Sequence, residues 1–487
     1  MVAMTQLPPA PAHQRRRLLP ASVLDIPGIV IAIVQLTPER RDIFSLVAAL
    51  PATSRSPALT ALVLCLRSGY AWPTLCVPSV HATEIDWICA AIPVFPSAII
   101  AGVCSSGRWQ AGDPGFQIPF CGFLNKWAPK MTALNSLAIK DLEHRRELGR
   151  VLARCSRLKK AMLLTSHVDL LETVTSPRHC VSELDLRCDS TNDHARALIA
   201  PLRRWLASGH ARHLSLLQVA IPMDAGLGHA LATSRTLSSL YLFESSESVV
   251  HSLVAHGATM ASLSELVLDR CSAESIVGLV PLLPLKRMKK LDFCVAVPNG
   301  PEIGDVITAA LPHLSGLEHF TLTSACVSVS AMRPPTALTS TLRTLEFCNV
   351  SLSVACLDAI LLWATSSTRL ESVLWKYCAI FGQSIDVTAT CWGTLPLAEA
   401  LRATHAPVKF ELALHGNKMD LHDVQALLEA VATCTNVSVL LPTQCRMYLK
   451  EESDPHVAQA RAAGVTIDTW SYRLHSPVVV APATTNT

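Results

Sequence analysis

The sequence is poor in charged and aromatic residues, and this shortage limits the classes of protein it can encode. Of its 487 residues, 16% are charged and 5% are aromatic, whereas 50% are hydrophobic. A chain this apolar must bury most of its hydrophobic surface, so we expect a globular protein. Lys and Arg total 41 against 38 for Asp and Glu, a net charge of +3. That balance gives no broad basic field for phosphate groups, so we expect no nucleic-acid partner.

Long apolar runs are also missing. A membrane-spanning helix needs roughly 20 predominantly apolar residues. The run over residues 88–104 is interrupted by Pro93 and Pro96, and the run over residues 23–36 is short and carries Asp25. We therefore expect no membrane association. Because the sequence also lacks a convincing secretory signal, we expect a cytoplasmic or nuclear location.

Motifs that carry chemistry are absent as well. The 17 cysteines include no C-x-x-C pair, which argues against a zinc ribbon or a dithiol redox site. The sequence contains no Walker-type phosphate loop, no dinucleotide-binding glycine motif, no H-E-x-x-H and no G-x-S-x-G. We predict that the protein is not an enzyme and that it uses no cofactor and no metal.

What the sequence does contain is an internal repeat. Residues 263–271 read Leu-Ser-Glu-Leu-Val-Leu-Asp-Arg-Cys, and residues 370–378 read Leu-Glu-Ser-Val-Leu-Trp-Lys-Tyr-Cys. Both follow the pattern L-x-x-L-x-L-x-x-N/C, in which positions one, four and six should point inward and position nine should satisfy backbone groups at a turn. Two partial copies use Leu412, Leu414 and Asn417, and Val437, Leu440 and Cys445. Weaker copies begin at Leu134, Leu158, Val181, Leu214, Leu237, Met288, Leu317 and Leu342.

Segments with helical periodicity separate these strands. In residues 195–206, for example, Leu198, Leu202 and Leu206 fall on one face of a helix. A unit of one strand and one helix cannot bury its own apolar face, so stability must come from stacking on its neighbours. The same periodicity predicts helices over residues 248–254, 274–283, 303–311, 352–363 and 421–432, the last with Asp420 as N-cap.

Residues from about Leu134 to Cys445 thus resemble the ribonuclease-inhibitor-like leucine-rich-repeat family. The resemblance implies an α/β fold: a leucine-rich-repeat solenoid shaped as a horseshoe, with parallel strands on the concave face and helices on the convex face. In that family, partners commonly bind the concave face. An ordinary α/β enzyme of parallel strands and helices is the alternative, because short L-x-x-L-x-L strings also occur there.

The N-terminal region resembles a diverged F-box. The similarity consists of Leu19-Pro20, an apolar helix running from Leu24 to Leu36, and a second helix reading Asp-Ile-Phe-Ser-Leu-Val over residues 42–47. Such a module before leucine-rich repeats implies an adaptor that joins a substrate to a ubiquitin ligase through a Skp-type linker protein. The alternative is a plain helical cap on the first repeat. The resemblance assigns linker binding to Leu19, Pro20, Leu24, Ile43, Phe44 and Val47.

Strand alternation identifies the residues that would meet a partner on the concave face. The third, fifth and seventh positions of each unit point away from the core. Aromatic and mixed-charge side chains at these positions are suited to protein recognition, although solvated or mutually paired side chains are the plain alternative. The candidates are Glu183, Asp185, Arg187, Tyr241, Phe243, Glu265, Asp269, Lys290, Asp292, His319, Glu346 and Lys376, followed by Glu411 and His415.

These observations predict an order of domains and a function. We expect a protein-interaction protein, either a substrate-recruiting adaptor of a ubiquitin ligase or a non-catalytic scaffold or inhibitor that binds a protein on its concave face. The predicted segments are a disordered N-terminus (1–17), an F-box-like module (18–55), a connector and cap (56–133), the solenoid (134–445), a C-terminal cap (446–475) and a disordered tail (476–487).

Overall fold

The chain folds into two compact units, Met1–Arg157 and Leu158–Thr487. The computed structural model describes most of both units. The described residues are 27–51, 55–76, 84–100, 108–110, 117–134, 142–188, 195–219, 221–222, 226–244, 246–296, 302–327, 340–381, 410–414, 421–433, 437–441, 455, 458, 462, 466–467 and 473–475.

The described part of the first unit starts with three short helices, α1 (Pro27–Leu36), α2 (Arg40–Ala49) and α3 (Pro57–Arg67). The third helix is capped by Ser56, whose hydroxyl accepts a hydrogen bond from the Leu59 amide at 3.3 Å. Proline at the first helical position is favourable there, because its missing N–H would have no intrahelical partner. The apolar side chains buried on these helices include Val30, Val34, Ile43, Val47, Leu59 and Leu62.

The rest of the first unit combines three parallel strands with further helices. Its strand order is β1, β2, β5, with β1 paired to β2 and β2 paired to β5. The rings of Trp72 and Phe95 are tilted against each other with centroids 5.7 Å apart, and those of Phe95 and Trp127 meet edge to face with centroids 5.9 Å apart. The elements are β1 (Thr74–Cys76), α4 (Ile85–Ala91), β2 (Ser97–Ile100), the antiparallel pair β3 (Arg108–Gln110) and β4 (Gln117–Pro119), α5 (Phe120–Trp127), β5 (Met131–Leu134) and α6 (Leu142–Leu152).

The second unit alternates strands and helices. Its elements are β6 (Lys160–Leu164), α7 (Val168–Val174), β7 (Glu183–Arg187), α8 (Ala195–Ala207), β8 (His213–Leu217), α9 (Leu227–Thr233), β9 (Ser239–Phe243), α10 (Ser246–His256), β10 (Glu265–Cys271), α11 (Ala273–Leu279), β11 (Lys290–Val295), α12 (Glu302–Ala310), β12 (His319–Thr323), β13 (Cys326–Val327), β14 (Thr344–Cys348), β15 (Ser351–Ser353), α13 (Val354–Thr365), β16 (Ser372–Lys376), β17 (Ala379–Phe381), β18 (Phe410–Ala413), α14 (Leu421–Thr433), β19 (Val437–Leu440), β20 (Thr466–Ile467) and β21 (Arg473–His475).

Strand order in this unit follows chain order. From β6 to β19 each main strand pairs in parallel with the next, and the antiparallel strands β21 and β20 complete the sheet. The short strands β13, β15 and β17 form a second parallel sheet. A parallel sheet built by successive strand–helix units is the leucine-rich-repeat solenoid that the sequence predicts.

The core confirms the repeat pattern. Leu263, Leu266 and Leu268, at positions one, four and six of their unit, are each at most 1% exposed. They stack on the same positions of the neighbouring strands, since Leu266 lies in register with Leu240 and Leu291. The leucines therefore form a continuous core along the repeats, which no single unit could build.

The turn after each strand uses a feature that the sequence pattern does not state. Residue eight of several units has a positive φ without being glycine: Gln218, Glu244, Arg270, Ser324, Asn349 and Tyr377, with φ between 52° and 58°. This left-handed residue redirects the chain, and residue nine then points into the core. Buried residues at position nine include Val219, Cys271, Ala325, Val350 and Cys378. The prediction that an Asn or Cys at position nine satisfies backbone groups fits Cys378, whose Sγ lies 3.2 Å from the Lys376 carbonyl, whereas most of these residues are simply apolar.

Two units have a different register from the predicted one. Leu214 pairs with Leu184 and Leu240, which makes it position four, so its unit begins at the buried Ala211. Near the C-terminus Leu412 pairs with Val439, so Val439 occupies the position that was assigned to Leu440. A slip of one residue reverses the faces of a strand, and Val439 is accordingly buried while Leu440 is partly exposed.

The helices of successive repeats pack closely on one another. A Cβ atom on Gly228 of α9 would lie 2.6 Å from the backbone of Ser252 in α10, so only glycine permits this approach. Helix α11 is capped at Ser272, whose hydroxyl accepts a hydrogen bond from the Ser275 amide at 3.2 Å. Ser353 caps α13 in the same way, with the Cys356 amide at 3.3 Å.

Candidate functional site

One face of the sheet in the second unit is not covered by the helices of the repeats. We call it the open face; it carries the third, fifth and seventh residues of each unit, which alternate with the buried leucines. On β7, for example, Leu184 and Leu186 are buried while Glu183, Asp185 and Arg187 are partly exposed. The structure places the predicted residues from Glu183 to Lys376 on this face, together with Glu411. His415 lies outside the described residues.

The open face carries an aromatic cluster formed by His213, Tyr241 and Phe243. The His213 and Tyr241 rings meet edge to face, with centroids 4.6 Å apart and an interplanar angle of 79°. Tyr241 and Phe243 also meet edge to face, at 6.3 Å. Leu217 lies beside Phe243 in register. These geometries are favourable for aromatic pairs and fix the rings relative to one another.

Polar contacts hold the central tyrosine in place. The Tyr241 hydroxyl donates to Glu265 Oε2 at 2.8 Å, and the Ser239 hydroxyl donates to the same oxygen at 3.1 Å. Lys290 Nζ lies 5.1 Å from the centroid of the Tyr241 ring, within range of a cation–π interaction. Burial, followed by the hydrogen bond and the charge of Glu265, raises the pKa of Tyr241. The phenol therefore stays protonated and acts as a hydrogen-bond donor.

His213 is a residue of this cluster that the sequence interpretation missed. Burial lowers its pKa despite the nearby Glu183, so the ring is neutral near pH 7 and packs as an aromatic group. The omission follows from the register: a unit that starts at Leu214 leaves His213 outside the strand, whereas a unit that starts at Ala211 makes it position three. The signal was Ala211, because alanine can replace leucine at position one.

Further along the face, three carboxylates and two lysines form a mixed-charge group. Lys376 Nζ donates to Glu346 Oε1 at 2.7 Å, and this contact raises the pKa of Lys376. Burial raises the pKa of Asp292; Lys290 opposes that shift, while the charges of Glu346 and Asp269 add to it. The site therefore disfavours further negative charge, which makes an acidic partner group unsuitable here.

At the other end of the face the charges are paired with one another. Lys160 Nζ lies 3.0 Å from Glu183 Oε2, and Arg187 lies 3.6 Å from Asp185. Away from this end, His319 is exposed at the start of β12. Pairs as exposed as Lys160 and Glu183 contribute little to stability, so they are free to exchange partners.

The residues assigned to linker binding lie in two kinds of place. Leu19, Pro20 and Leu24 fall outside the described residues. Ile43 and Val47 are 0% and 4% exposed and build the core of the first unit, so their burial does not fit contact with a partner. Phe44 is half-buried, with the Arg40 guanidinium 5.8 Å from its ring centroid.

A different apolar surface exists on the same helices. Ile29, Ile33 and Leu36 of α1 are 36%, 38% and 84% exposed. Their spacing places them on one side of the helix. Sequence reasoning missed this stripe, because a helix that is apolar on all sides does not show which of its faces the neighbouring helices cover.

The part of the chain that the structure describes offers no group of three or more His, Cys, Asp or Glu side chains placed to hold a metal ion. Within the same residues, no helix has both the length and the apolar character needed to cross a membrane.

Comparison with known proteins finds likeness among solved structures. The sequence matches no protein-family model and no curated protein. An internalin from Listeria monocytogenes is 12% identical, with 80% of this chain and 98% of the internalin covered and a TM-score of 0.36. A complex of Rad7 and Elc1 in yeast gives 14% identity, coverage of 88% and 92%, and a TM-score of 0.40. A TLR13–ssRNA13 complex is 10% identical in sequence, with 71% of this chain and 58% of that chain covered and a TM-score of 0.27. The assignment of the fold rests on the repeat register and burial described above.

Proposed function

We propose that this chain is a protein-binding leucine-rich-repeat protein and that the aromatic cluster of the open face is the centre of its binding surface. The observation that supports this is the arrangement of His213, Tyr241 and Phe243, which are half-buried and held by neighbouring strands. Rings that are already fixed lose little conformational entropy when a partner covers them.

The surroundings of the cluster have the composition of a protein interface. Large aromatic side chains commonly supply most of the binding free energy, and charged groups around them direct orientation and association rate. Here Glu265 and Lys290 contact Tyr241 directly, while the pairs on β6, β7, β14 and β16 lie farther out. A partner with an apolar centre and a mixed-charge rim would match this surface.

The test is affinity purification of the full chain from cells of its source, followed by mass spectrometry. The variant Tyr241→Ala/Phe243→Ala should lose the bound proteins, because it removes the anchors without touching the buried leucines. Tyr377→Asn is the matched control, since Tyr377 is 57% exposed outside the cluster and Asn tolerates its positive φ. Equal recovery of the same proteins by the double variant and the control would contradict the proposal.

A second function is favoured by the apolar stripe on α1. We infer that Ile29, Ile33 and Leu36 bind a Skp-type linker, which would make the chain a substrate-recruiting adaptor of a ubiquitin ligase. The support is the exposure of three apolar residues on one helix in the region that resembles an F-box. The competing hypothesis is a scaffold or inhibitor that uses the open face alone.

Substituting acidic residues into the apolar stripe of α1 and measuring which proteins co-purify distinguishes these two hypotheses. Under the adaptor hypothesis, Ile33→Asp/Leu36→Asp abolishes co-purification of a Skp-type protein. Leu64→Asp is the control, because Leu64 is a similarly exposed apolar residue (41%) on α3 of the same unit. If the full chain recovers no Skp-type protein, the adaptor hypothesis is wrong, and proteins retained after deletion of residues 1–55 would then support the scaffold.

A further inference from the structure

Two neighbouring clefts, formed by residues between Ala200 and Gly316, are lined by several positively charged side chains. The first cleft, about 750 Å³, is lined by Arg203, Arg204 and Arg235 together with apolar residues of α8 and α9. The second, about 490 Å³, is lined by Arg235 and four further cations, and Arg235 and Thr236 belong to both. We call the five cations of the second cleft the basic edge: Arg212, Arg235, Lys286, Arg287 and Lys289.

Two residues of the basic edge, Arg212 and Lys289, occupy equivalent places in repeats that are three apart, with Ser238 and Ser264 at that place in the repeats between them. The amide of Ser238 donates to the carbonyl of Arg212, that of Ser264 to Ser238, and that of Lys289 to Ser264. This ladder runs just before the strands. Neighbouring strands lie about 4.8 Å apart, so the line from Arg212 to Lys289 is about 14 Å long. An extended peptide covers that distance with about four residues.

Among the described residues, no carboxylate lies within 4.0 Å of these cations. Arg212 and Arg287 donate to the backbone carbonyls of Thr236 (3.4 Å) and Ala261 (2.9 Å), which carry no charge to neutralise them. Neither cleft has an Asp or Glu in its lining. At the equivalent position one repeat further on stands Glu318, whose charge acts on Arg343.

The cations of the basic edge also act on one another. Like charges without carboxylate partners repel one another, so an anion bound among these cations would relieve that repulsion.

The lining distinguishes between kinds of anion. Single-stranded nucleic acid is normally held by aromatic platforms on which bases stack, and neither lining contains Phe, Tyr or Trp. The first cleft instead offers Ala200, Ala207 and Ala230 beside its arginines. Small apolar surfaces flanked by guanidinium groups suit a peptide in which carboxylates alternate with aliphatic side chains.

We propose that the basic edge and the first cleft bind an acidic, aliphatic segment of a partner protein in an extended conformation. The residues of this surface are not those of the aromatic cluster, so the proposal goes beyond the open-face function and is tested separately from it.

The experiment measures binding of fluorescent probes to the full chain by anisotropy. The probes are a short peptide of alternating Glu and Leu, its Lys and Leu counterpart, and single-stranded oligo(dT). We expect the Glu–Leu peptide to bind, with an affinity that falls as salt rises. The Lys–Leu peptide should not bind.

Two matched variants remove the same charge from different places. Arg235→Gln/Arg287→Gln should weaken binding of the Glu–Leu peptide by about tenfold. Arg178→Gln/Arg196→Gln alters two exposed arginines that line neither cleft and should leave the affinity unchanged. Circular dichroism verifies that both variants fold.

Three results would overturn the proposal: tighter binding of oligo(dT) than of the acidic peptide, no binding of the peptide at low salt, or equal weakening by the two variants. The Tyr241→Ala/Phe243→Ala variant should bind the acidic peptide as the unmodified chain does. Loss of open-face partners and loss of the acidic peptide are therefore distinguishable.

Discussion

In the middle repeats, β8 to β11, the aromatic residues of β8 and β9 stand on the open face and Phe293 of β11 is buried, whereas the late repeats, β12 to β16, bury their aromatic strand residues on the opposite face of the same sheet. In the middle repeats Tyr241 and Phe243 stand on the open face. In the late repeats Phe320, Phe347 and Trp375 are at most 2% exposed in the core, and Phe347 meets Trp375 at 5.1 Å. Side-chain alternation alone produces this difference. Buried aromatic residues thus stabilise both regions, and the aromatic residues of β8 and β9 remain available to a partner.

Both regions contain ion pairs. The late repeats pair Lys376 with Glu346 and Arg343 with Glu371 at 2.6 Å, and the middle repeats pair Arg270 with Glu244 at 3.8 Å. The middle repeats keep the cations of the basic edge without carboxylates among the described residues. Cations without a carboxylate partner can bind a charged ligand, so the proposal for the basic edge concerns the middle repeats, as does the proposal for the aromatic cluster. The proposed linker site lies on α1.

The largest change in the free energy of unfolding is expected when an aromatic residue of the core is compared with one of the open face. Phe347→Ala should lower the free energy of unfolding by about 3–5 kcal/mol, because it leaves a cavity in the late core. Phe243→Ala removes the same ring from the open face and should cost about 1 kcal/mol. Urea unfolding followed by circular dichroism measures both. Similar losses for the two variants would show that the division by face does not hold.

A carboxylate on the helix side holds the middle repeats together. Glu247 of α10 accepts hydrogen bonds from the Ser272 amide and hydroxyl and from the Ser275 hydroxyl, at 2.8, 2.6 and 2.5 Å. It thereby joins two successive repeats at the start of α11, where negative charge is favourable. We expect Glu247→Gln to lower the free energy of unfolding by about 1 kcal/mol near pH 7, a modest value because the side chain is partly exposed.

The same carboxylate makes stability depend on pH. Burial raises the pKa of Glu247, but the hydrogen bonds from Ser272 and Ser275 outweigh it, and the pKa lies below its ordinary value of 4.5. Its contribution is therefore complete above pH 4.5 and disappears as pH falls through the lowered pKa. The difference in free energy of unfolding between the unmodified protein and Glu247→Gln, measured by urea unfolding, should become smaller as pH falls. A difference that stays constant with pH would assign the effect to packing.

The smallest expected effect concerns the ion pair of the late repeats. A double-mutant cycle with Lys376→Met and Glu346→Gln should give a coupling free energy of about 0.5 kcal/mol, since the pair is partly exposed. Added salt should reduce it. Lys290→Met in the middle repeats, where no ion pair joins Lys290 to a described carboxylate, should change stability less. A larger cost for Lys290→Met would contradict this expectation.

The sequence by itself determined the repeat, because leucines at positions one, four and six can be buried only by stacking on equivalent leucines. It also determined which residues of the strongest units stand on the open face, since alternation along a strand has a fixed period. Where a unit departs from the consensus, as at Ala211 and Val439, one residue of register decides the face, and only pairing with neighbouring strands settles it.

Only the tertiary structure decided which residues of separate repeats meet. The five cations of the basic edge are spread from Arg212 to Lys289 in a chain whose net charge is only +3, so composition conceals them. The exposed stripe of α1 likewise depends on which side of that helix the other helices cover. Both features arise from distances between elements, which depend on packing and not on the local pattern of residues.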